Sequence, residues 1–246
     1  MPPSLEILCE DAPVVAVNKP AGVITQGAPP GVDSLADLVR EYLKRKYSKP
    51  GNVYLGLVHR LDRPVSGVVV FARNSKAAAR LSEQFREHRV RKVYHAVVER
   101  LPDPESGTLT DWLLRDRDAA RVRLVPAETP GAREAVLHYR TLGRQRGRAW
   151  LEIEPATGRM HQIRVQLAAR GWAIVGDHKY GARTELVPPR PVERWQAPIA
   201  LHARSLTLKH PIRYDDLTIA APLPEEWDQL GFGTQPLADA ATAPDR

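Results

Sequence analysis

The order of the apolar segments is the sequence feature that most restricts the fold of this chain. Short segments with the length and β-branching of strands recur along it, most clearly at 67–73 and 90–99. Helical periodicity is found in only three segments, 34–47, 74–88 and 157–171. Because strands outnumber helices and do not alternate with them regularly, the sequence predicts an α+β fold with a central mixed, largely antiparallel β-sheet flanked by helices and loops.

Capping residues indicate where the helices begin and end. Ser34 is a candidate N-cap of the first helix, Asn74 or Ser75 of the second, and Gly171 stands where a C-terminal cap of the third belongs. Patterns of length and alternation predict further strands at 14–18, 121–125, 134–142, 148–155, 200–211 and 217–222.

The chain is predicted to form one domain. Its 246 residues, 43% of them hydrophobic, suffice for a sizeable core, and no repeat or long linker divides them. We expect a single catalytic domain over residues 1–232 and a small, polar, frayed tail over 233–246. A proline-rich loop at 183–198 is expected inside the domain.

Charge and cysteine content restrict the partners and the compartment. The 36 lysines and arginines exceed the 29 aspartates and glutamates, which favours a polyanionic partner but by charge alone leaves nucleic-acid binding at even odds. A lone Cys9 forms no internal disulfide and indicates a reducing compartment. The N-terminus has no secretory pattern, and no apolar run approaches the roughly 20 residues that cross a bilayer. A cytoplasmic protein without membrane association is therefore expected.

Known motifs for metal or cofactor binding are missing from the sequence. The histidines are scattered without metal-ligand spacing, and neither a phosphate-binding loop nor a dinucleotide fingerprint is present. We therefore expect any chemistry to run on side chains alone, with no cofactor and no metal.

The stretch HRLDRPVSG, residues 59–67, is the candidate for that chemistry. It holds Asp62 between Arg60 and Arg63 just before a buried strand. A buried carboxylate costs several kcal/mol unless a cation or hydrogen-bond donors offset the cost, and adjacent strand residues alternate faces, so a partner from elsewhere would serve better. Arg164 in GRMHQIRVQL is a candidate that could pair bidentately with Asp62 and keep it ionised. Such an aspartate is a nucleophile or a general base, although an ordinary ion pair is the alternative.

Five blocks of this sequence together resemble the RluA-type RNA pseudouridine synthases. They are ILCEDAPVVAVNKPAGV, LVHRLDRPVSGVVVFAR, RKVYHAVVE, EPATGRMHQIRVQLAARGWAIVGDHKYG and ALHARSLTLKHP, in family order over about two hundred residues. The resemblance implies the pseudouridine synthase fold and an enzyme that detaches the base of selected uridines in RNA from ribose and rejoins it through carbon 5. It also implies that no metal or energy-carrying cofactor takes part.

The resemblance implies roles for three residues. Asp62 takes the position of the essential catalytic aspartate, and Arg164 takes that of the arginine that pairs with it. Tyr94, in the K-x-Y block, corresponds to a tyrosine that stacks on the target base and could act as a base. Stacking of that kind contributes about 1 to 3 kcal/mol, which helps offset the cost of extruding a uridine from its stack.

Several further residues are predicted to contact RNA. Arg60 is expected to fill the vacated stack or to hold the RNA backbone, and Arg63 and Arg159 are assigned to RNA binding with it. Lys19 either contacts RNA or lies in solvent on its turn, and His161 either donates to RNA or caps its helix.

Two other residues of the resembling blocks carry expectations of their own. Asp177 is expected to order its loop by accepting backbone amides. Val65 stands where many members have a threonine, and the missing hydroxyl bond would be worth about 1 kcal/mol.

Two rival functions and several details remain open from the sequence. A non-catalytic RNA-binding or ribosome-assembly factor could keep the fold, and a glycosidase-like hydrolase is a third reading, although it usually needs two carboxylates. Ribosomal RNA, transfer RNA or both are possible substrates, and the loop arginines Arg183, Arg190 and Arg194 could influence that choice. A monomer is expected.

Overall fold

The computed structural model describes residues 5–116, 120–186 and 197–232. Eleven strands and three α-helices are found in this part of the chain. The helices are α1 (Leu35–Lys46), α2 (Ser75–Arg86) and α3 (Gln162–Ala169), and two 3₁₀ turns cover His178–Tyr180 and Glu225–Leu230. The strands are β1 (Glu6–Asp11), β2 (Val14–Lys19), β3 (Gly56–Leu57), β4 (Ser66–Ala72), β5 (Arg91–Val98), β6 (Ser106–Asp116), β7 (Arg121–Val125), β8 (Arg133–Gln145), β9 (Arg148–Pro155), β10 (Leu201–Lys209) and β11 (Asp216–Ala220).

All eleven strands belong to one sheet. Its order is β1-β2-β4-β10-β5-β9-β8-β6-β7, with β3 added to β4 and β11 added to β10. Among the strand pairs of the described residues only β4 and β10 run parallel, joined at Ser66–His202 and Gly67–Ala203. The predicted α+β fold with a mixed, largely antiparallel sheet is confirmed.

The N-terminal half of the sheet is buried on both faces, which explains the nearly continuous apolar runs of β2 and β4. Alternate residues of a strand point to opposite faces. One set, including Val17 and Phe71, packs with Leu35 and Val39 of α1 in a single core cluster. The other set forms a second cluster with α2, made of Val14, Ala16, Val68, Val70, Ala77 and Leu81.

Most predicted element boundaries are confirmed. The Ser34 side chain accepts from the amide of Asp37, and the Asp37 side chain accepts from the amide of Ser34. These two hydrogen bonds form a capping box at the start of α1. Asn74, rather than Ser75, caps α2. Gly171 follows α3 with φ of 77°, a left-handed conformation that suits a helix-terminating glycine.

One predicted helix needs correction, and three strands were missed. The helix expected over 157–171 begins only at Gln162, because His161 has φ of 51° and the Gln162 side-chain oxygen accepts from Thr157 and from the amide of Arg159. The strands β1, β3 and β6 were not predicted, although β6 pairs on one side with β7 and on the other with β8.

Several expectations fall on positions beyond the described ranges. Arg190 and Arg194 lie outside the described residues, and so does the tail over 233–246. Across the described ranges, none of the helices has the length and apolarity that crossing a bilayer would require.

Candidate active site

Asp62 lies on the loop between β3 and β4, and the residues on either side of it are fixed through their backbones. The Thr25 hydroxyl donates to the carbonyl of Leu61 at 2.9 Å and accepts from its amide at 3.3 Å. The Arg63 carbonyl accepts from the amide of Gly22 at 2.8 Å, and the Arg63 Nε donates back to the Gly22 carbonyl at 2.8 Å. The amide of Val65 donates to the Asp62 carbonyl, so the loop closes without a side-chain hydroxyl at position 65.

Lys19 holds this loop from beneath. Its side chain is fully buried at the end of β2, and its ammonium donates to the carbonyls of Val23 at 2.7 Å, Arg63 at 3.1 Å and Pro20 at 3.1 Å. Burial lowers the pKa of Lys19 to about 7, with nearby Asp62 acting in the opposite direction. Both expectations for Lys19 are corrected, because a side chain with no exposed surface neither touches RNA nor lies in solvent.

The β4–β10–β5 pairing brings Tyr94 to the Asp62 loop. Gly67 of β4 faces Ala203 of β10, and Ala203 faces Tyr94 of β5. The strands approach so closely that a Cβ at Gly67 would lie 2.2 Å from the Ala203 carbonyl oxygen, and Gly67 has φ of 115°. Only glycine satisfies both conditions without strain.

Arg164, in the first turn of α3, is shared by two carboxylates. Its Nε and Nη2 bind the two oxygens of Asp177 at 2.7 and 2.8 Å, and its Nη1 binds Asp62 Oδ2 at 3.1 Å. Arg164 and Asp177 are almost completely buried, whereas 29% of the Asp62 side chain is exposed. The guanidinium is therefore held by the buried carboxylate and presents its remaining edge to the accessible one.

Asp177 is the residue of this site that the sequence interpretation missed. The Asp177 side chain does not make the expected hydrogen bonds to backbone amides. Both of its carboxylate oxygens are bound to Arg164 instead. The apolar residues 173–175 that precede it were the available signal, since they indicate that the chain enters the core just before this position.

A short chain of hydrogen bonds favours one tautomer of His161. The amide of Val122 donates to the Tyr180 hydroxyl at 3.0 Å, so this hydroxyl can donate its own proton to His161 Nδ1 at 2.8 Å. The imidazole proton then stands on Nε2, which lies 3.5 Å from Asp62 Oδ2. Burial lowers the pKa of His161 to about 4 although Asp62 acts in the opposite direction, so the ring is neutral at neutral pH.

The residues around Asp62 enclose a cavity that is open to solvent. Tyr94, Arg164 and His161 line it together with Arg60 and Arg159, whose side chains are exposed at its edge. Burial first, and Asp62 second, raise the pKa of Tyr94, so its phenol stays protonated in the free enzyme. Six of the predicted site residues line this one cavity: Arg60, Asp62, Tyr94, Arg159, His161 and Arg164. Arg63 lies beside the cavity and Lys19 beneath it.

Comparison with known proteins identifies the family. The model of the RNA pseudouridylate synthase family matches residues 13–169. The chain is 33% identical over 228 residues to an uncharacterized RNA pseudouridine synthase of Synechocystis, covering 92% of this chain and 68% of that protein. It is 37% identical over 235 residues to the ribosomal large subunit pseudouridine synthase D of Xylella fastidiosa, with the same coverage.

Solved structures agree with the sequence comparison. The human RNA pseudouridylate synthase domain containing 4 aligns with a TM-score of 0.73 at 27% identity, over 92% of this chain and 93% of that one. The family match and the named relatives indicate an RNA-modifying isomerase. The chain belongs to the RNA pseudouridine synthase family.

Proposed function

We propose that this enzyme converts uridine to pseudouridine in ribosomal RNA, with Asp62 as its catalytic carboxylate. The observation that carries this proposal is the contact of Asp62 with Arg164 at 3.1 Å inside a cavity shared with Tyr94. The names of relatives that modify the large ribosomal subunit support ribosomal RNA over transfer RNA as the substrate.

The electrostatics around Asp62 suit a carboxylate that acts while ionised. Arg164 carries one positive charge, and Asp62 and Asp177 carry two negative ones, so the cluster keeps one net negative charge. Asp177 neutralises the buried guanidinium and orients it, while Asp62 remains accessible from the cavity. The charge-assisted hydrogen bond from Arg164 fixes the position of the Asp62 carboxylate.

The reaction itself only rearranges bonds within one nucleotide. The bond between N1 of the base and C1′ of ribose breaks, and a bond between C5 and C1′ forms. The C5 proton is lost, and N1 gains a proton, so no atom is added or removed in total. Asp62 forms a transient bond either to C1′ of the sugar, as the bond to N1 breaks, or to the base, and this bond breaks again once C5 is joined to C1′. The aromatic face of Tyr94 holds the extruded base in the cavity meanwhile.

RNA binding in this proposal relies on the edge of the cavity. Arg60 and Arg159 are exposed there and can contact phosphates or enter the gap that the extruded uridine leaves. Arg63 assists from the loop, and His161 lines the cavity beside Asp62. We propose that the enzyme acts as a monomer.

Pseudouridine mapping across total RNA tests the proposal. RNA from cells with and without the gene is compared, and the deletion is complemented with Asp62→Asn, which keeps the size of the side chain but removes its charge. We expect ribosomal sites to disappear on deletion and to stay absent with this variant. Asp33→Asn, an exposed aspartate on the loop before α1, is the matched control and should restore them.

Three other results would each count against a part of the proposal. Restoration of every site by Asp62→Asn would contradict the catalytic role and favour an RNA-binding factor. Release of free uracil with abasic RNA would favour a glycosidase-like hydrolase. Loss of sites in transfer RNA alone would contradict the ribosomal substrate.

A further inference from the structure

Lys92 is a cation of the active-site cavity that the chemistry above does not use. It lies on β5 two residues before Tyr94, and because alternate residues of a strand share a face, both side chains point to the same side of the sheet. Both line the cavity around Asp62. The Lys92 ammonium also lies 4.0 Å from the position that a Cβ at Gly158 would take, which places it beside the 157–161 loop.

No carboxylate of the described residues forms an ion pair with Lys92, whereas its basic neighbours are paired. Arg91 binds both oxygens of Glu154, at 2.9 and 2.6 Å, and Arg89 binds Glu87 at 2.7 Å. Burial lowers the pKa of Lys92, with no nearby carboxylate to offset that effect. A partly buried ammonium without a counter-ion is costly, and a bound anion would remove that cost.

Lys92 stands where two cavities meet. Besides the cavity around Asp62, it lines a second one formed by residues 88–92, His138 and residues 154–156. Pro155 is the other residue common to both. A group bound to Lys92 therefore lies between a base held in the first cavity and a group held in the second cavity.

We propose that Lys92 binds the phosphodiester that joins the extruded uridine to its neighbouring nucleotide. The inference rests on the proposed function, which places the uridine in the first cavity. In RNA, the group between one nucleotide and the next is a phosphodiester, and an ammonium binds it as a compact charge with three donors. Lys92 thus fixes the backbone on the side of the second cavity while the base is rearranged.

The salt dependence of RNA binding tests this role of Lys92. The probe is a synthetic RNA stem–loop centred on a uridine found by mapping, titrated in the Asp62→Asn background so that it is not converted. Losing one phosphate contact on a single strand should reduce the slope of log affinity against log salt by about 0.7. We expect that reduction for Lys92→Met and no change for Lys76→Met, an exposed lysine on α2.

A methylphosphonate scan then locates the phosphate. At one linkage beside the target uridine, the neutral substitution should weaken binding on the order of tenfold with Lys92 present, as expected for a hydrogen bond to a charged group, and cause no further loss in Lys92→Met. Lys92→Arg should preserve the coupling. An unchanged salt slope in Lys92→Met, or losses that simply add at every linkage, would overturn the inference.

The two proposals fail in different ways. If mapping reveals no modified uridine, the proposed function is wrong, and the same titrations with oligouridylate still measure whether Lys92 binds a phosphate. If sites are found but Lys92→Met binds RNA as the unsubstituted protein does, only the inference about Lys92 is wrong. Unfolding midpoints of the variants in urea show whether Lys92→Met is as stable as its control.

Discussion

At the scale of single residues, the site depends on a guanidinium that serves two carboxylates with different exposure. Asp177 binds Arg164 through two hydrogen bonds inside the core, and Asp62 binds the remaining nitrogen from the cavity. Removing the arginine entirely would leave Asp177 buried and unpaired, at a cost of about 3–5 kcal/mol in stability. A lysine at this position keeps the charge but cannot present a planar fork to both partners.

We therefore predict that Arg164→Lys lowers turnover far more than RNA affinity. Loss of a hydrogen bond to a charged group, about 1.5–3 kcal/mol, corresponds to roughly a 10- to 150-fold slower single-turnover rate. Arg170→Lys is the matched control, because Arg170 at the end of α3 binds Asp111 through two nitrogens and does not line the cavity. Equal losses of rate and affinity in Arg164→Lys would contradict its role as the partner of Asp62.

Tyr94 is predicted to act on affinity through its ring. Tyr94→Ala should weaken RNA binding by about 1–3 kcal/mol, the usual contribution of one stacked base, or roughly 5- to 150-fold. Tyr94→Phe keeps the ring and should bind RNA as tightly as the unsubstituted protein, so its turnover reports on the hydroxyl alone. Equilibrium titration with the stem–loop measures both, and Tyr54→Ala removes an exposed tyrosine as the control. Similar affinities of the alanine and phenylalanine variants would contradict stacking.

At the scale of elements, the parallel contact between β4 and β10 determines where Asp62 and Tyr94 meet. We predict that Gly67→Ala separates these strands, because its Cβ would overlap the Ala203 carbonyl and its backbone conformation is strained for any other residue. Strain of this kind costs on the order of 1–3 kcal/mol, measured as a lower free energy of unfolding in urea. Gly51→Ala, with open space around it, is the control.

The activity of the Gly67 variant gives a second measurement of the same contact. Displacing β10 also moves its partner Tyr94 on β5, so turnover should fall together with stability. If Gly67→Ala has the stability and turnover of the unsubstituted protein, close contact between β4 and β10 is not required for the site, and the prediction is wrong.

The elements that the sequence predicted well are those whose local pattern and tertiary burial agree. The run of β4 after Ser66 is apolar because both faces of the strand are covered, and the caps of α1 and α2 depend on neighbouring residues alone. β6 was missed because SGTLTDWLLRD lacks alternation, and its conformation comes from pairing with two neighbours. The late start of α3 depends on the left-handed backbone of His161, which no periodicity reveals.

Site residues, too, could be predicted where the local sequence carries the signal and were misjudged where tertiary packing decides. The resemblance of the blocks named Asp62, Tyr94 and Arg164, and the sheet order brings them to one cavity. Lys19 was misjudged because a lysine beside a proline turn usually lies in solvent, whereas here three carbonyls bind its ammonium within the core. Only the packing of distant segments, 19–25 against 61–63, makes that burial possible.

At the scale of the whole molecule, buried histidines link folding to pH. Burial lowers the pKa values of His95 and His161 to about 4 and those of His59 and His202 to about 3, against an ordinary value of 6.5. In the unfolded chain these rings take up protons near pH 6.5, but in the folded protein they stay neutral until much lower pH. The stability that comes from keeping them neutral is therefore complete above pH 6.5 and is lost as the pH falls toward 4.

We predict that the free energy of unfolding falls between pH 7 and pH 5, by on the order of 1 kcal/mol per histidine for each pH unit below about 6. Above pH 5 the carboxylates are largely ionised in both states, so the histidines dominate this range. Urea unfolding at a series of pH values measures the slope. His202→Gln removes one buried titrating ring and should reduce the slope by about a quarter, since four such rings contribute to it. His138→Gln, on the exposed face of β8, should leave the slope unchanged, and equal slopes in all three proteins would exclude buried histidines as its cause.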